Sequence, residues 1–595
     1  MGKFLLTNKK NWSDELRRCF IRSGFKEFSN ISEKEYFTVY KKLKVNTYNF
    51  YQKDDNYVGC AGTFVYKEEI GEKALKFLFE DIKDGFNLNK IRENAFGSYV
   101  VVIKQDSKIF VFVDEYHTYA VYYYLHNDDY LLTNNFYHIE NIIKSVLNGL
   151  NLIEYVAQFS IVDNKTPYEN IYKLMGDEYL LLDLANNENK LVKTKLNNKE
   201  NKNYSSLEDA ENDLRNGIIY YSQIRKKLFP KATIFMTGGV DSRLILASYL
   251  NVGQKPRLCR WHGGNQILNS KVEDFIISRK IAKGVGLSFK NYNTAEDFKQ
   301  RYYNTNRDDY DKLGEMVSKY GNNGLWHKIY DKINSDFVDF GYFGELLVDW
   351  DKLDKYADFS KPFTLQEFIM QVYVNKFVIN DIIEKENYIK LLYDKFELIA
   401  KSRNLDCNNL SKEDCMWLFF NYRLHADTHM VNITNMYYYY FPILCQKEVS
   451  EVAHCIPYNL KQSHKLNLLL TKNLYQDLIK YEYFSHCRYR TTDMENLALR
   501  ELDDGVKHKK SLWLKLILRL NRLNKKNYVI FKEDQYIKDF CIREMKIFLN
   551  EIGLNINETT FNYLPIYTTF LLMTKMHEIM FKDKTKTKSI ETLAP

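Results

Sequence analysis

The sequence predicts an α/β protein in which a strand-rich N-terminal part precedes a parallel sheet covered by helices and then a helical C-terminal extension. Three observations predict it. Residues 99–103, 109–113 and 120–124 are short β-branched and aromatic runs parted by polar turns, the mark of an antiparallel meander. From residue 207 helical and strand patterns alternate, which calls for βαβ units. At 232–250 a buried strand pattern runs through two glycines straight into a helix pattern.

Taken in order, a helix is expected at 73–79 and the meander spans roughly 57–196, with the Asn- and Lys-rich stretch 186–203 as linker. Then come a helix at 207–228, a strand at 232–236 and a helix at 241–250. A strand at 257–261, a helix at 272–285 and a strand at 336–340 continue the rhythm, and beyond 363 the patterns are mostly helical. The length of 595 residues is too great for one core, so domains are expected at 1–200, 205–480 and 481–595.

Composition narrows the function classes. With 45% hydrophobic residues and only 8 prolines the chain is globular and not largely disordered. A net charge of +8, from 85 basic and 77 acidic residues, is too mild for a dedicated nucleic-acid binder. The nine cysteines show no zinc or disulfide spacing and read as free thiols in a reducing compartment. The apolar run at 4–6 is too short for a signal peptide, and no stretch reaches the roughly 20 apolar residues of a membrane span. A cytoplasmic protein without membrane contact is expected.

The segment Thr237-Gly238-Gly239-Val240-Asp241-Ser242 carries the most chemistry. Glycines let a backbone approach a phosphate, and the following helix start offers N–H groups and a positive dipole end. The Thr237 and Ser242 hydroxyls can add hydrogen bonds, and Asp241 can hold Mg²⁺ against phosphates. The plainer reading is a strand–turn–helix connection with Asp241 or Ser242 as an N-cap.

These residues resemble the Ser-Gly-Gly-x-Asp-Ser pyrophosphate loop of ATP pyrophosphatases, in particular the asparagine synthase family. Three later stretches are similar in the same order: Gly341 to Leu347 with Glu345 at the family's second metal acid, Phe441-Pro442-Ile443-Leu444 with Cys445 at its Asp, and Pro457 followed by Lys461 and Lys465. The meander, from Asn94 through Asp114 to Tyr123, and Thr166 to Gly176 resemble the class II glutamine amidotransferase domain of that family. The resemblance implies an Ntn-hydrolase-like α+β sandwich followed by an adenine nucleotide α-hydrolase-like synthetase domain.

It also implies roles. ATP would sit on residues 237–242, with Arg260 bordering the nucleotide and Asp274 a recurrent acid nearby. Mg²⁺ would be held by Asp241 and Glu345. Lys465 would steady transition-state charge, with Lys461 in reserve, and Tyr342 sits where β-lactam-forming members have a catalytic tyrosine; plain packing is the alternative for Tyr342. One departure matters: Gly2 stands where glutamine-dependent members carry the nucleophilic cysteine, so no glutaminase activity is expected. The implied reaction is adenylation of a substrate carboxylate with release of pyrophosphate, then coupling to an amine. An ammonia-using asparagine synthetase and a non-catalytic nucleotide-binding scaffold are the alternatives. Residues 511–523 read as an amphipathic helix, in a core or on a membrane or partner surface.

Overall fold

The computed structural model describes residues 2–483, apart from 33–34, 159, 195–203, 263–268, 294–325, 348–352, 354–356, 375–384 and 482. The segment 511–523, and the expected extension 481–595 except Tyr481 and Tyr483, lie outside the described residues. The architecture is mixed α/β, with two antiparallel sheets, one parallel sheet and helices.

Twelve strands build the first two sheets: β1 (Lys3–Thr7), β2 (Glu27–Ser32), β3 (Tyr36–Tyr40), β4 (Phe50–Lys53), β5 (Asn56–Tyr66), β6 (Ala95–Gln105), β7 (Lys108–Val113), β8 (Tyr122–His126), β9 (Asp129–Thr133), β10 (Tyr172–Lys173), β11 (Glu178–Asp183) and β12 (Glu188–Lys193). Their orders are β10-β8-β9-β1-β3-β2 and β12-β11-β7-β6-β5-β4. Side chains alternate faces along a strand, and β1 shows the consequence. Phe4 and Leu6 enter a core shared with Val58, Val100 and Val102 of the other sheet, while Leu5 faces away toward Leu16 and Phe20 of the helix Lys10–Arg22. The sheets therefore pack face to face.

Two expectations need correction here. Residues 188–193, assigned to a linker, form the edge strand β12, paired along its length with β11. Asn and Lys are poor strand formers, but an edge strand exposes them to water and blunts further pairing. The strand expected at 120–124 begins two residues later. Ala120 gives both its backbone groups to the Asn432 side chain, at 2.9 Å each, so it is lost to the ladder.

The third sheet is parallel, in the order β15-β14-β13-β16, from β13 (Ala232–Phe235), β14 (Arg257–His262), β15 (Phe289–Asn293) and β16 (Phe337–Asp339). The helix Leu207–Leu228 precedes it, capped by Ser206, whose hydroxyl accepts from the Asp209 N–H. That helix and Val240–Asn251 are fastened beneath the sheet by a buried ion pair. Arg225 meets Asp339 at 3.2 Å, Tyr249 donates to the same carboxylate at 3.0 Å, and the guanidinium stacks 3.2 Å over the Tyr249 ring. Removing one partner of such a pair strands a buried charge at a cost of about 3–5 kcal/mol.

The long helix Lys412–Tyr437 ties the two parts together. Its Asn435 receives the Lys42 ammonium and the Thr63 hydroxyl, and its Asn432 holds Ala120. No helix among the described residues is long and apolar enough to cross a membrane.

Candidate active site

In an open parallel sheet, ligands bind beyond the carboxyl ends of the strands, where successive connections leave in opposite directions. Here β13 is the first strand; the chain adds β14 and β15 on one side, then returns to place β16 on the other. The loops after β13 and β16 therefore lie side by side at that crevice.

The first loop holds Thr237 to Ser242, with Gly239 as N-cap of the helix Val240–Asn251. Its polar groups are mutually engaged. The Thr237 N–H donates to the Ser242 hydroxyl at 3.1 Å, and the two hydroxyls lie 2.8 Å apart. The Gly239 N–H donates to Thr237 Oγ1 at 3.2 Å, and the Gly238 N–H to the Asp274 carboxylate at 2.8 Å. Three of the loop N–H groups are thus held by side-chain oxygens. The first-turn N–H groups of the helix have no intrahelical partner by geometry and point the same way.

Arg243 anchors the loop from below. Buried, it donates to the carbonyl oxygens of Leu478 and Tyr481 at 3.3 and 2.8 Å, and its ring-like plane lies 3.5 Å from the Tyr483 ring. Arg260, expected to border a nucleotide, is buried and lies 4.0 Å from Asp274. It reaches the phosphate loop indirectly, through the carboxylate that holds the Gly238 N–H.

The second loop leaves β16 through Phe340, stacked on Phe235 of β13 at 4.7 Å. Gly341 and Gly344 then press on Asp241. A Cβ on Gly341 would lie 2.5 Å from the Ser242 nitrogen, and one on Gly344 would lie 2.6 Å from Asp241 Oδ1. At Gly341 the obstacle is backbone, so only glycine permits that approach; at Gly344 it is the tip of the Asp241 side chain. Phe343 between them takes a left-handed φ of 66°, which turns the chain into the short helix Gly344–Leu346 that carries Glu345.

Asp241 and Glu345 consequently feel one another. The Asp241 carboxyl is pushed up to about 7, by burial first and by the Glu345 charge second; Asn467 and Arg423 oppose the shift. Asn467 donates to Asp241 Oδ1 at 3.1 Å. Arg423 grips Glu345 Oε1 at 2.7 Å and Asp427 at 2.6 Å. Glu345 Oε2 is buried without a hydrogen-bond partner. Two neighbouring carboxylates, one with an orphaned oxygen, are under-supplied with positive charge. They fit Mg²⁺, which takes one or two carboxylates and completes its shell with phosphate oxygens and water. Among the described residues no group of three or more His, Cys, Asp and Glu could hold a metal alone.

The remaining candidates separate. Lys465 opens the helix Lys465–Leu474, partly exposed, two positions before Asn467, and makes no ion pair among the described residues. Lys461 is buried and donates to the Ala453 carbonyl at 2.7 Å, a structural tie. Tyr342 stacks on Phe340 at 5.2 Å. Cys445 is buried in the short helix Ile443–Cys445. Arg423 and Asn467 were not singled out in the sequence. Arg423 lies inside a buried helix without a motif, and Asn467 differs from its neighbours only by following Lys465 by two positions.

No family model and no curated protein matches the sequence. Among solved structures, the chain is similar to glutamine phosphoribosylpyrophosphate amidotransferase from B. subtilis, complexed with ADP and GMP, at 8% identity and a TM-score of 0.24 over 49% of this chain and 65% of that one. It is similar to NMN synthetase from Francisella tularensis at 11% identity and a TM-score of 0.16, over 34% of this chain and 94% of that one. It is also similar to glutamine-dependent NAD⁺ synthetase from Acinetobacter baumannii, in complex with ADP, at 12% identity and a TM-score of 0.16, over 29% and 30%. All three are partial superpositions.

Proposed function

We propose that this chain is an ATP-dependent ligase that activates a carboxylate as its adenylate and couples it to an amine, without hydrolysing glutamine. The observation that carries the reading is the meeting of Asp241 and Glu345 at the crevice between the loops after β13 and β16, beside a helix start. Asp241 and Glu345 would hold Mg²⁺, whose charge when bound neutralises phosphate oxygens. The first-turn N–H groups of the helix Val240–Asn251, with the Thr237 and Ser242 hydroxyls, take the β- and γ-phosphates. A carboxylate oxygen of the substrate then attacks the α-phosphorus, and the α–β bridging oxygen leaves with pyrophosphate. Lys465 supplies positive charge to that departure. The amine attacks the acyl carbon, a C–N bond forms as the acyl C–O bond to AMP breaks, and Tyr342 passes the released amine proton on to water.

Gly2 supports the omission of glutamine. Its N–H donates to the Tyr40 carbonyl at 3.2 Å, and a side chain there would begin 2.7 Å from the Phe25 ring and 3.0 Å from the Lys41 carbonyl. The scaffold alternative has its own observation: Asp274 sits on the Gly238 N–H and Arg423 on Glu345, so the loop is closed on itself. Pyrophosphate release from MgATP separates the two. A ligase releases it only when a carboxylate from a mixed amino-acid and hydroxy-acid pool is added. Nucleotide binding without release under every condition would leave the scaffold.

A further inference from the structure

The carboxylate that closes the phosphate loop has a second partner within reach. Asp274 comes from the helix Asn269–Gly284, which follows β14, and its Oδ1 accepts from the Gly238 N–H at 2.8 Å. Its Oδ2 lies 4.0 Å from Arg260 Nη2, beyond hydrogen-bond range. That nitrogen belongs to a residue 5% exposed, and it is buried with no hydrogen-bond partner among the described residues. We propose that Asp274 competes with nucleotide for the loop: its carboxylate takes a phosphate oxygen's place on the Gly238 N–H, and swings onto Arg260 when a phosphate arrives.

Charge, destination and anchorage carry the proposal. Of the three loop N–H groups held by side chains, those of Thr237 and Gly239 rest on neutral hydroxyls and that of Gly238 rests on an anion. A hydroxyl can turn and donate to a phosphate. A carboxylate on the same N–H would instead be pressed against a phosphate oxygen of like charge. Its destination is favourable, because a guanidinium–carboxylate hydrogen bond is charge-assisted and roughly twice as strong as a neutral one. Here it would also satisfy a buried nitrogen that otherwise lacks an acceptor. The helix itself is anchored. Ser278, one turn on from Asp274, donates to the Met236 carbonyl at 3.3 Å, at the end of β13, and Ile277 and Ile281 are buried in the core. The exchange therefore needs rotation of one side chain and no shift of the helix.

The proposal rests on the reading of residues 237–242 as a phosphate loop. Calorimetry of the full chain with MgATP tests it in a double-mutant cycle. Asp274→Asn keeps the shape, removes the charge and should tighten MgATP binding by about tenfold. Arg260→Gln removes the destination. It should weaken binding by about tenfold in the wild-type background and change it little in the Asp274→Asn background. A second measurement needs no variant and decides the matter if Arg260→Gln does not fold: a crystal structure with MgATP should show Asp274 hydrogen-bonded to Arg260. Unchanged or weaker MgATP binding in Asp274→Asn would overturn this proposal alone. So would an equal loss from Arg260→Gln in both backgrounds, or Asp274 still on the Gly238 N–H beside bound MgATP. Absence of saturable MgATP binding in both the wild type and Asp274→Asn would overturn the phosphate-loop reading, and the proposal with it.

Discussion

Two ends of the molecule treat their space in opposite ways. At the carboxyl ends of β13 and β16 the protein sets two carboxylates near one another and leaves an oxygen of Glu345 without a partner. At the start of β1 it seats Gly2 against the Phe25 ring and the Lys41 carbonyl. One end keeps electrostatic tension, which costs stability unless a ligand relieves it; the other is filled by packing. Tension of the first kind is how sites for charged ligands are recognised, and dense packing of the second leaves no room for a nucleophile.

The largest expected effect breaks the first end. Glu345→Gln removes a charge and keeps the shape, so MgATP affinity and any turnover should fall by about a hundredfold or more while the circular dichroism spectrum stays native. Near-normal MgATP binding would mean that the cation site lies elsewhere. Lys465→Ala should spare MgATP binding in calorimetry and slow pyrophosphate release, again by roughly a hundredfold.

A smaller effect comes from the tight glycines. Gly341→Ala pushes a methyl onto backbone at the Ser242 nitrogen and should destabilise the fold by about 1–3 kcal/mol in urea titration. Gly2→Cys meets a ring and a carbonyl and should cost a similar about 1–3 kcal/mol, with no glutamate released from glutamine. Glutaminase activity in that variant would contradict the contrast between the two ends.

The smallest effect is a slope. Asp241 is raised to about 7 from an ordinary value of roughly 3.9. A carboxyl that binds its proton more tightly when folded costs stability once ionised. The nucleotide-free protein should therefore lose stability from this group as pH rises from about 4 to about 7, and no further above. Asp241→Asn removes the slope, so its melting temperature should gain on the wild type at pH 8 relative to pH 5. MgATP binding by the wild type should tighten over the same window, because the cation competes with the proton.

The parallel layer was legible because its signals are local. The helix Leu207–Leu228 carries its cap at Ser206, and β13 runs into two glycines. What escaped is assembled over long separations. β1 is a five-residue run whose neighbours in the sheet, β3 and β9, lie far along the chain. β12 looks polar because its side chains face water, and β15 is short and mixed in composition. In the site, the Asp241 loop was legible as a strand running through two glycines into a helix, whereas residues 341–345 were singled out only by the family resemblance. Arg423 reaches Glu345 across 78 positions and Asn467 reaches Asp241 across 226, and neither pairing leaves a local signature. Arg260 was read as a nucleotide neighbour because it ends a strand; the helix that brings Asp274 to it decides its contact instead.

The central claim is that this crevice breaks ATP between the α- and β-phosphates. The direct measurement is a single turnover with nucleotide labelled at the α-phosphate, excess protein and the carboxylate that triggers pyrophosphate release, resolved by chromatography. The account predicts label in AMP, appearing in step with pyrophosphate and absent in Glu345→Gln. Label in ADP would contradict it, because cleavage at the γ-phosphate requires a different placement of phosphates against Asp241 and Glu345.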